Sequence, residues 1–379
     1  MSNLRRNLRT SLNLTYNSNT PDYPIAWVIV LEIELRPFDP FKATRKEWKQ
    51  FHEYRYKRYP EAHPGDPITA DDVVEKSLRF MREEEHIETH SVHEKGTPDE
   101  WIGLVRVSVM KETSPSYEEN KHQCFVYNVA LLTPYRGKGI AKQLLEVVLE
   151  FAKRYKRRII IADTSEEHGK RFIKNLGAKE ALSGVENRLD LTKLDWDMVE
   201  EWTKEGPVRS PESKLEFFQD CPDDILEEYC KLYTVVDNQA PREDLDVGDY
   251  IITPELRRQY EGYQKDVDAT WLTVITKEPN GDISGLTEVR YRPSKDPLIY
   301  QDLTGVPEKY RGSGKGKWLK AIMLQEIKKR WPTVTSVVTG NATTNAPMIL
   351  INERLGFKVH KESIVAQMKT EDLEKYLAQ

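Results

Sequence analysis

The sequence predicts an α/β protein of two tandem units, each a mixed, mostly antiparallel sheet flanked by helices. Three observations carry this. The chain has 379 residues, too many for one ordinary core and enough for two domains of roughly 150–200 residues each. A basic, glycine-rich stretch occurs twice, as PYRGKGIAKQLLEV at 134–147 and PEKYRGSGKGKWLK at 307–320. Placing Arg136 on Arg311, 175 residues further on, brings the flanks of both stretches into register.

Residues 1–22 carry Arg5, Arg6 and Arg9, no acid before residue 22 and much Ser, Thr and Asn, and read as a disordered tail rather than a transit peptide. IAWVIVL at 25–31 is strand-sized, far short of the ~20 apolar residues that cross a bilayer. HEYRYKRYPEAH at 52–63 interleaves Tyr54, Tyr56 and Tyr59 with basic residues, as a nucleic-acid platform would. The helical spacing of Trp48, Phe51 and Tyr54 favours an amphipathic helix with solvated charges instead. In HIETHSVH, His86 and His90 share one strand face and His93 the other, so an exposed strand is the reading and not a metal site.

EWIGLVRVSV opens a hairpin, and CFVYNVALL at 124–132 is a strand leading into the first glycine loop. Ile140, Leu144, Val147, Val148 and Phe151 then mark one helix face, followed by the strand RRIIIADT and a helix ending at KNLGA. The second half repeats the order. Ile225, Leu226, Tyr229, Leu232 and Tyr233 form a core stripe, and TWLTVITKEPNGDISGLTEVRY is a hairpin turning at Asn280-Gly281. LIYQDLTGV at 298–306 is the strand before the second loop. Leu319, Ile322, Met323 and Ile327 mark the next helix, TSVVTGN a strand, and ERLGF the last helix end. The polar segment TKEGPVRSPESK places a linker at 206–213, between a first domain at 23–205 and a second at 214–379. A single continuous sheet, or unrelated halves, would end this reading.

Composition narrows the function. A net charge of −5 and a pI near 6.0 argue against nucleic acid as the main partner. Three cysteines without metal-type spacing suit a reducing compartment, and with no membrane span expected the reading is cytoplasmic. The oligomeric state is left open.

Glycines at a strand-to-helix junction permit positive φ and close approach of a ligand to the backbone. The first helical N–H groups have no internal partner, and with the helix dipole they form an anion site. The ATP-binding P-loop does not fit, because Gly316-Lys317 is followed by Trp318. The dinucleotide pattern fails as well, since the glycines fall at 312, 314 and 316.

Both loops do resemble the acyl-coenzyme A loop of the GNAT superfamily of N-acetyltransferases, Arg/Gln-x-x-Gly-x-Gly/Ala. Arg136, Gly139 and Ala141 match it in the first half and Arg311, Gly314 and Gly316 in the second. The resemblance implies two tandem GNAT-like domains and acetyl-coenzyme A as co-substrate. It places the phosphates against Arg136, Gly137, Lys138, Gly139, Ile140 and Ala141, and against Arg311, Gly312, Ser313, Gly314, Lys315, Gly316 and Lys317. Leu131 and Val306 hold the strand ends whose backbone would polarise the thioester. Asn345 matches the family's pantetheine-binding Asn, but Asn352 stands where a Tyr usually acts as acid. The first half has Glu166 and Ile173 at these positions, which makes it the more degenerate copy.

Acetyl transfer needs a neutral amine, and deprotonating a lysine-like amine at pH 7 costs about 4.6 kcal/mol. Glu288 in LTEVRY and Asp302 in YQDLTGV are candidate bases, with an exposed strand carboxylate or an ion-pair partner as the alternative, and Tyr300 a candidate assistant. The expectation is an acetyl-coenzyme A-dependent N-acetyltransferase acting on a small-molecule amine, with its active site in the second domain. The alternatives are a protein lysine or N-terminal acetyltransferase, and a non-catalytic acyl-coenzyme A sensor.

Overall fold

The computed structural model describes residues 31–80, 85–97 and 99–379; the tail at 1–22 and all but the last residue of IAWVIVL lie outside them. The first half runs β1 (Ile33–Pro37), α1 (Arg45–Ala62), α2 (Asp71–Arg79), β2 (Glu85–Glu94), β3 (Gly103–Met110), α3 (Tyr117–Asn120) and β4 (Gln123–Leu131). Then follow α4 (Ile140–Arg154), β5 (Ile159–Thr164), α5 (Glu167–Leu176), β6 (Lys179–Asp190) and α6 (Trp196–Arg209). The second half runs β7 (Lys214–Phe218), α7 (Leu226–Asn238), α8 (Pro254–Asp266), β8 (Thr270–Lys277), β9 (Ile283–Tyr291) and β10 (Leu298–Gly305). It closes with α9 (Lys315–Arg330), β11 (Ser336–Ala342), α10 (Ala346–Leu355), β12 (Lys358–Lys369) and α11 (Thr370–Ala378).

Local chemistry sets many of the boundaries. Thr44 and Glu47 form a reciprocal capping box that starts α1. Gly177 and Gly356 take left-handed φ of 78° and 93° at the ends of α5 and α10, which is what the two Leu-Gly pairs are for. The β8–β9 hairpin turns at Asn280-Gly281, with Gly281 at φ 89°.

Separate sheets were expected, but the strands form one twelve-stranded sheet in the order β1-β2-β3-β4-β5-β12-β6-β11-β10-β9-β8-β7. The repeat survives because this order is two-fold. Each half contributes five strands, and then the halves exchange their last ones: β12 pairs with β5, and β6 pairs with β11. The helices after them follow. Leu373 of α11 joins the first core with Leu144, Val148 and Phe151, while Val199 and Trp202 of α6 join the second with Leu319 and Met323. The segment read as a linker is therefore helical as far as Arg209. Sequence adjacency cannot reveal this exchange, because β6 and β12 have the same length and either could close either unit.

Two parallel pairs, β4–β5 and β10–β11, sit at equivalent places, and all other pairings are antiparallel. Each pairing is short. β4 holds β5 only over Gln123–Val126, and β10 holds β11 only over Leu298–Tyr300. Beyond these points the strands separate and open a gap in the sheet.

Candidate active site

Each gap coincides with a bulge. On β4 the register against β3 shifts across Tyr127, and on β10 the register against β9 shifts across Asp302 and Leu303. Beyond the bulge each strand reaches its glycine loop. Gly137 and Gly139 have φ of 74° and 75°, and Gly312 and Gly314 have 85° and 83°, so the two loops share one conformation. Gly139 and Gly314 are the residues from which α4 and α9 start.

The loop arginines act on the protein itself. Arg136 Nε donates to the Leu131 carbonyl at 3.0 Å, and Arg311 Nε donates to the Val306 carbonyl at the same distance. Each ties the strand end to its loop. Arg136 also pairs with Glu61 at 2.7 Å, and Arg311 donates to Gln239.

Beyond that the halves part. At the first loop Gly137, Lys138 and Gly139 are exposed, and nothing stands within 4 Å of a Cβ built on Gly137. Behind the loop a cavity of about 410 Å³ runs into the gap, walled by Leu144, Val148, Ile160, Ile173, Met368 and Leu373. Ile140 and Ala141 border its mouth. The exchanged C-terminal strand and helix thus complete the first half's cavity. On its rim Arg58 donates to Glu166 at 3.0 Å. Burial pushes the Glu166 carboxyl up, but Arg58 outweighs it and holds that carboxyl below the ordinary range. Burial and Arg136 push the neighbouring His168 down.

At the second loop Arg209 closes in. Its guanidinium donates to the Gly312 carbonyl at 3.2 Å and lies 3.3 Å from a Cβ built on Gly314. Lys315 is buried, donating to Ser210 and Ser313 and pairing with Glu278 at 3.3 Å. Lys317 lies over the Trp202 ring, and Ile351 sits 3.5 Å from a Cβ built on Gly316. Where the first half has Leu145, Ile173 and Ala178, the second has Lys320, Asn352 and Phe357, all buried. Lys320 Nζ donates to Asn352 at 2.8 Å, and Asn352 donates to Asn341 at 2.9 Å. Burial alone lowers the Lys320 amine to about 7. Asn345 lies just before α10 and makes no side-chain cap.

The candidate bases fare differently. Glu288 is fully buried and accepts from Tyr229, from Arg257 at 2.9 Å and from Thr273 at 2.9 Å. That is the ion-pair role, and Glu288 lines neither the cavity behind the first loop nor the spaces that Tyr300 and Asp302 border. Tyr300 is half-buried and borders a shallow groove with Glu186 and Asn341. Asp302 accepts from two nitrogens of Arg290, Nε and Nη2, and burial nevertheless pushes its carboxyl up. It borders a cleft of about 660 Å³ between the halves.

That cleft was not legible in the sequence. Tyr127 and Asn128 border both it and the first cavity, so the two spaces meet at the β4 bulge. Asp302, one of the two β10 bulge residues, faces the same space from the second half. The halves are locked around it: Tyr263 donates to Ser77 at 2.6 Å, Asn120 to the Asp249 carbonyl at 3.1 Å, and Lys295 to Tyr59 at 2.6 Å. Asp237 of α7, Gln264 of α8 and Trp271 of β8 also border it. None of these was marked by its sequence context, since Asp237 follows a core stripe and Trp271 reads as one more core aromatic.

A strand bulge opening beside a glycine loop, repeated under a two-fold strand exchange, defines the class of protein. Residues 45–178, which contain the first loop, match the acetyltransferase (GNAT) family. A tandem GNAT protein from the clavulanic acid biosynthesis pathway superposes with a TM-score of 0.71 at 19% identity, covering 89% of this chain and 99% of that one. A GCN5-related glucosamine N-acetyltransferase region of a fungal multi-domain GH3 β-N-acetylglucosaminidase gives 0.61 at 12% identity, over 89% of this chain and 38% of that one. A GCN5-related N-acetyltransferase from Sphaerobacter thermophilus gives 0.55 at 13% identity, over 89% and 96%. No curated protein matches in sequence. The family match thus lies in the first half, at residues 45–178, and the fold of a tandem GNAT protein extends across both halves. No described helix is long and apolar enough to cross a membrane.

Proposed function

We propose that the protein transfers an acyl group from acyl-coenzyme A, acetyl-coenzyme A being the simplest donor, to an amine, and that the first half holds the donor. One observation carries this reading: the open first loop leads through an apolar cavity to the β4 bulge, while Arg209, Lys320 and Phe357 fill the equivalent path in the second half. This reverses the expectation from sequence, in which Asn345 and the strand carboxylates favoured the second half.

The physical roles follow. Free N–H groups at the start of α4 and the positive end of its dipole suit a pyrophosphate, each charge-assisted bond contributing about 1.5–3 kcal/mol. The apolar walls suit a pantetheine arm. Backbone N–H groups freed from the ladder at a bulge suit the thioester carbonyl, whose oxygen gains charge as the amine attacks.

Titrating acetyl-coenzyme A by calorimetry tests the donor half of the proposal; one molecule bound per chain is expected. Thiol release across a panel of small amines, lysine peptides and N-terminal peptides tests the rest. Binding without turnover on any acceptor would favour a sensor, and turnover confined to peptides a protein acetyltransferase.

A further inference from the structure

The cleft between the halves holds polar groups that the protein leaves unsatisfied. Gln264 is 5% exposed and Trp271 8%, and among the described residues the Gln264 Oε1 accepts no hydrogen bond and the Trp271 Nε1–H donates none. Buried polar groups are nearly always paired, so two unpaired ones bordering one cleft point to a ligand. Two charged groups share the pattern. Asp237 is half-buried, and among the described residues its carboxylate has no hydrogen-bond or ion-pair partner. Arg292 forms no ion pair with a described residue; its guanidinium donates to the Tyr263 hydroxyl at 3.4 Å.

An acceptor and an anion ask for an ammonium group, and a donor and a cation ask for a carboxylate. We propose that this cleft is the acyl-acceptor site, that it takes a small zwitterionic amine of the amino-acid type, and that Asp237 receives the amine's proton. The proposal rests on the reading that the first half holds the acyl-coenzyme A. It divides the labour between the repeats: one half supplies the donor site, and the other supplies most of the acceptor's partners. Tyr127 and Asn128, shared by both spaces, mark where the two substrates meet. Tyr233 gives the ammonium an aromatic neighbour as well.

The step balances. The ammonium gives one proton to Asp237, and the neutral nitrogen attacks the thioester carbonyl. A C–N bond forms, the C–S bond breaks, and the departing thiolate takes the second nitrogen proton. The products are the amide and free coenzyme A, and Asp237 returns its proton to solvent. Burial raises the Asp237 carboxyl, which makes it a better proton acceptor than an exposed aspartate.

The test pairs glycine, β-alanine, γ-aminobutyrate and L-lysine with methylamine, ethylamine, propylamine and cadaverine, and adds glucosamine and a lysine peptide. Each is assayed with acetyl-coenzyme A by thiol release. At least one amino acid should exceed its decarboxylated counterpart by about tenfold or more in kcat/KM. Asp237→Asn should lower kcat/KM for it about 100-fold, and Arg292→Ala should raise its KM about tenfold and erase the preference. Both variants should keep the wild-type Kd for acetyl-coenzyme A, which also shows that they fold. Equal rates within every pair, or higher rates on glucosamine or the peptide, would overturn the ligand class. Unchanged turnover in both variants would overturn the site. Absence of acetyl-coenzyme A binding to the wild type would overturn the donor reading beneath it, and this proposal with it.

Discussion

Gly139 and Gly314 hold the same left-handed conformation at the start of equivalent helices, yet Gly139 is exposed, while Gly314 is half-buried and a side chain there would meet Arg209. The difference deepens inward. The first half keeps Leu145 and Ala178 beside an apolar cavity, and the second places Lys320 and Phe357 there, tied to Asn352 and the core. A loop of this shape is first a requirement of the fold: the chain must leave a splayed strand and enter a helix, and glycine does so without strain. The loop motif therefore survives in a half whose interior no longer suits the ligand. Interior volume separates the two copies where loop sequence does not.

The largest effect should come from setting a carboxylate against each loop. Gly139→Glu puts a negative side chain where the pyrophosphate is proposed to lie and adds about 1 kcal/mol of left-handed strain. Acetyl-coenzyme A affinity should fall at least about 100-fold by calorimetry. Gly314→Glu meets Arg209 as a charge partner and should change affinity less than about threefold. The opposite pattern would return the donor site to the second half, and equal losses in folded variants would mean that both loops bind.

Exchanging the interior residues should come next. Phe357 is 5% exposed in the second core, so Phe357→Ala should cost about 3–5 kcal/mol in urea unfolding. Ala178→Phe fills space beside the first cavity. It should leave stability within about 1 kcal/mol and weaken acetyl-coenzyme A binding about tenfold. Unimpaired binding in Ala178→Phe would mean that the ligand does not use this cavity.

Local signals were legible in the sequence and relational ones were not. The repeat, both loops, the α4 and α9 faces, the Asn280-Gly281 turn and the Leu-Gly helix ends each arise from residues close in sequence, where periodicity and turn chemistry act. The strand exchange depends on which of two similar strands reaches which edge, and no local pattern records that. The roles open to Glu288, base, exposed carboxylate or ion-pair partner, could not be separated in sequence because Arg257 sits 31 positions upstream on a helix otherwise polar in sequence. The cleft could not be read at all, because Asp237, Gln264 and Trp271 acquire meaning only when the halves face each other.

Lys320 gives the comparison a pH-dependent reading. Its amine is lowered from 10.5 to about 7 by burial, so between those values the unfolded chain holds a proton that the folded one lacks. Wild-type stability should therefore rise with pH from about 7 to 10, by up to about 1.4 kcal/mol per unit from this group. Lys320→Leu copies Leu145 and removes that slope. Its advantage over wild type should be largest near pH 6 and shrink toward pH 10, offset by a pH-independent cost of about 1–3 kcal/mol for leaving Asn352 short of a donor. Parallel urea-unfolding curves for the two proteins at pH 6, 8 and 10 would mean that Lys320 stays charged when buried.

The smallest effect should belong to Arg209, and it sharpens the comparison most. Arg209 is exposed, and one hydrogen bond to the Gly312 carbonyl is its main tie to the loop, so Arg209→Ala should cost less than about 1 kcal/mol. If the second loop is idle, acetyl-coenzyme A affinity and stoichiometry should stay within about twofold of wild type. If Arg209 instead supplies charge to a phosphate there, its loss weakens binding and flattens the salt dependence. If it blocks a competent loop, its loss admits a second molecule per chain. Calorimetry at two salt concentrations distinguishes these three outcomes, and only the first is compatible with a donor site confined to the first half.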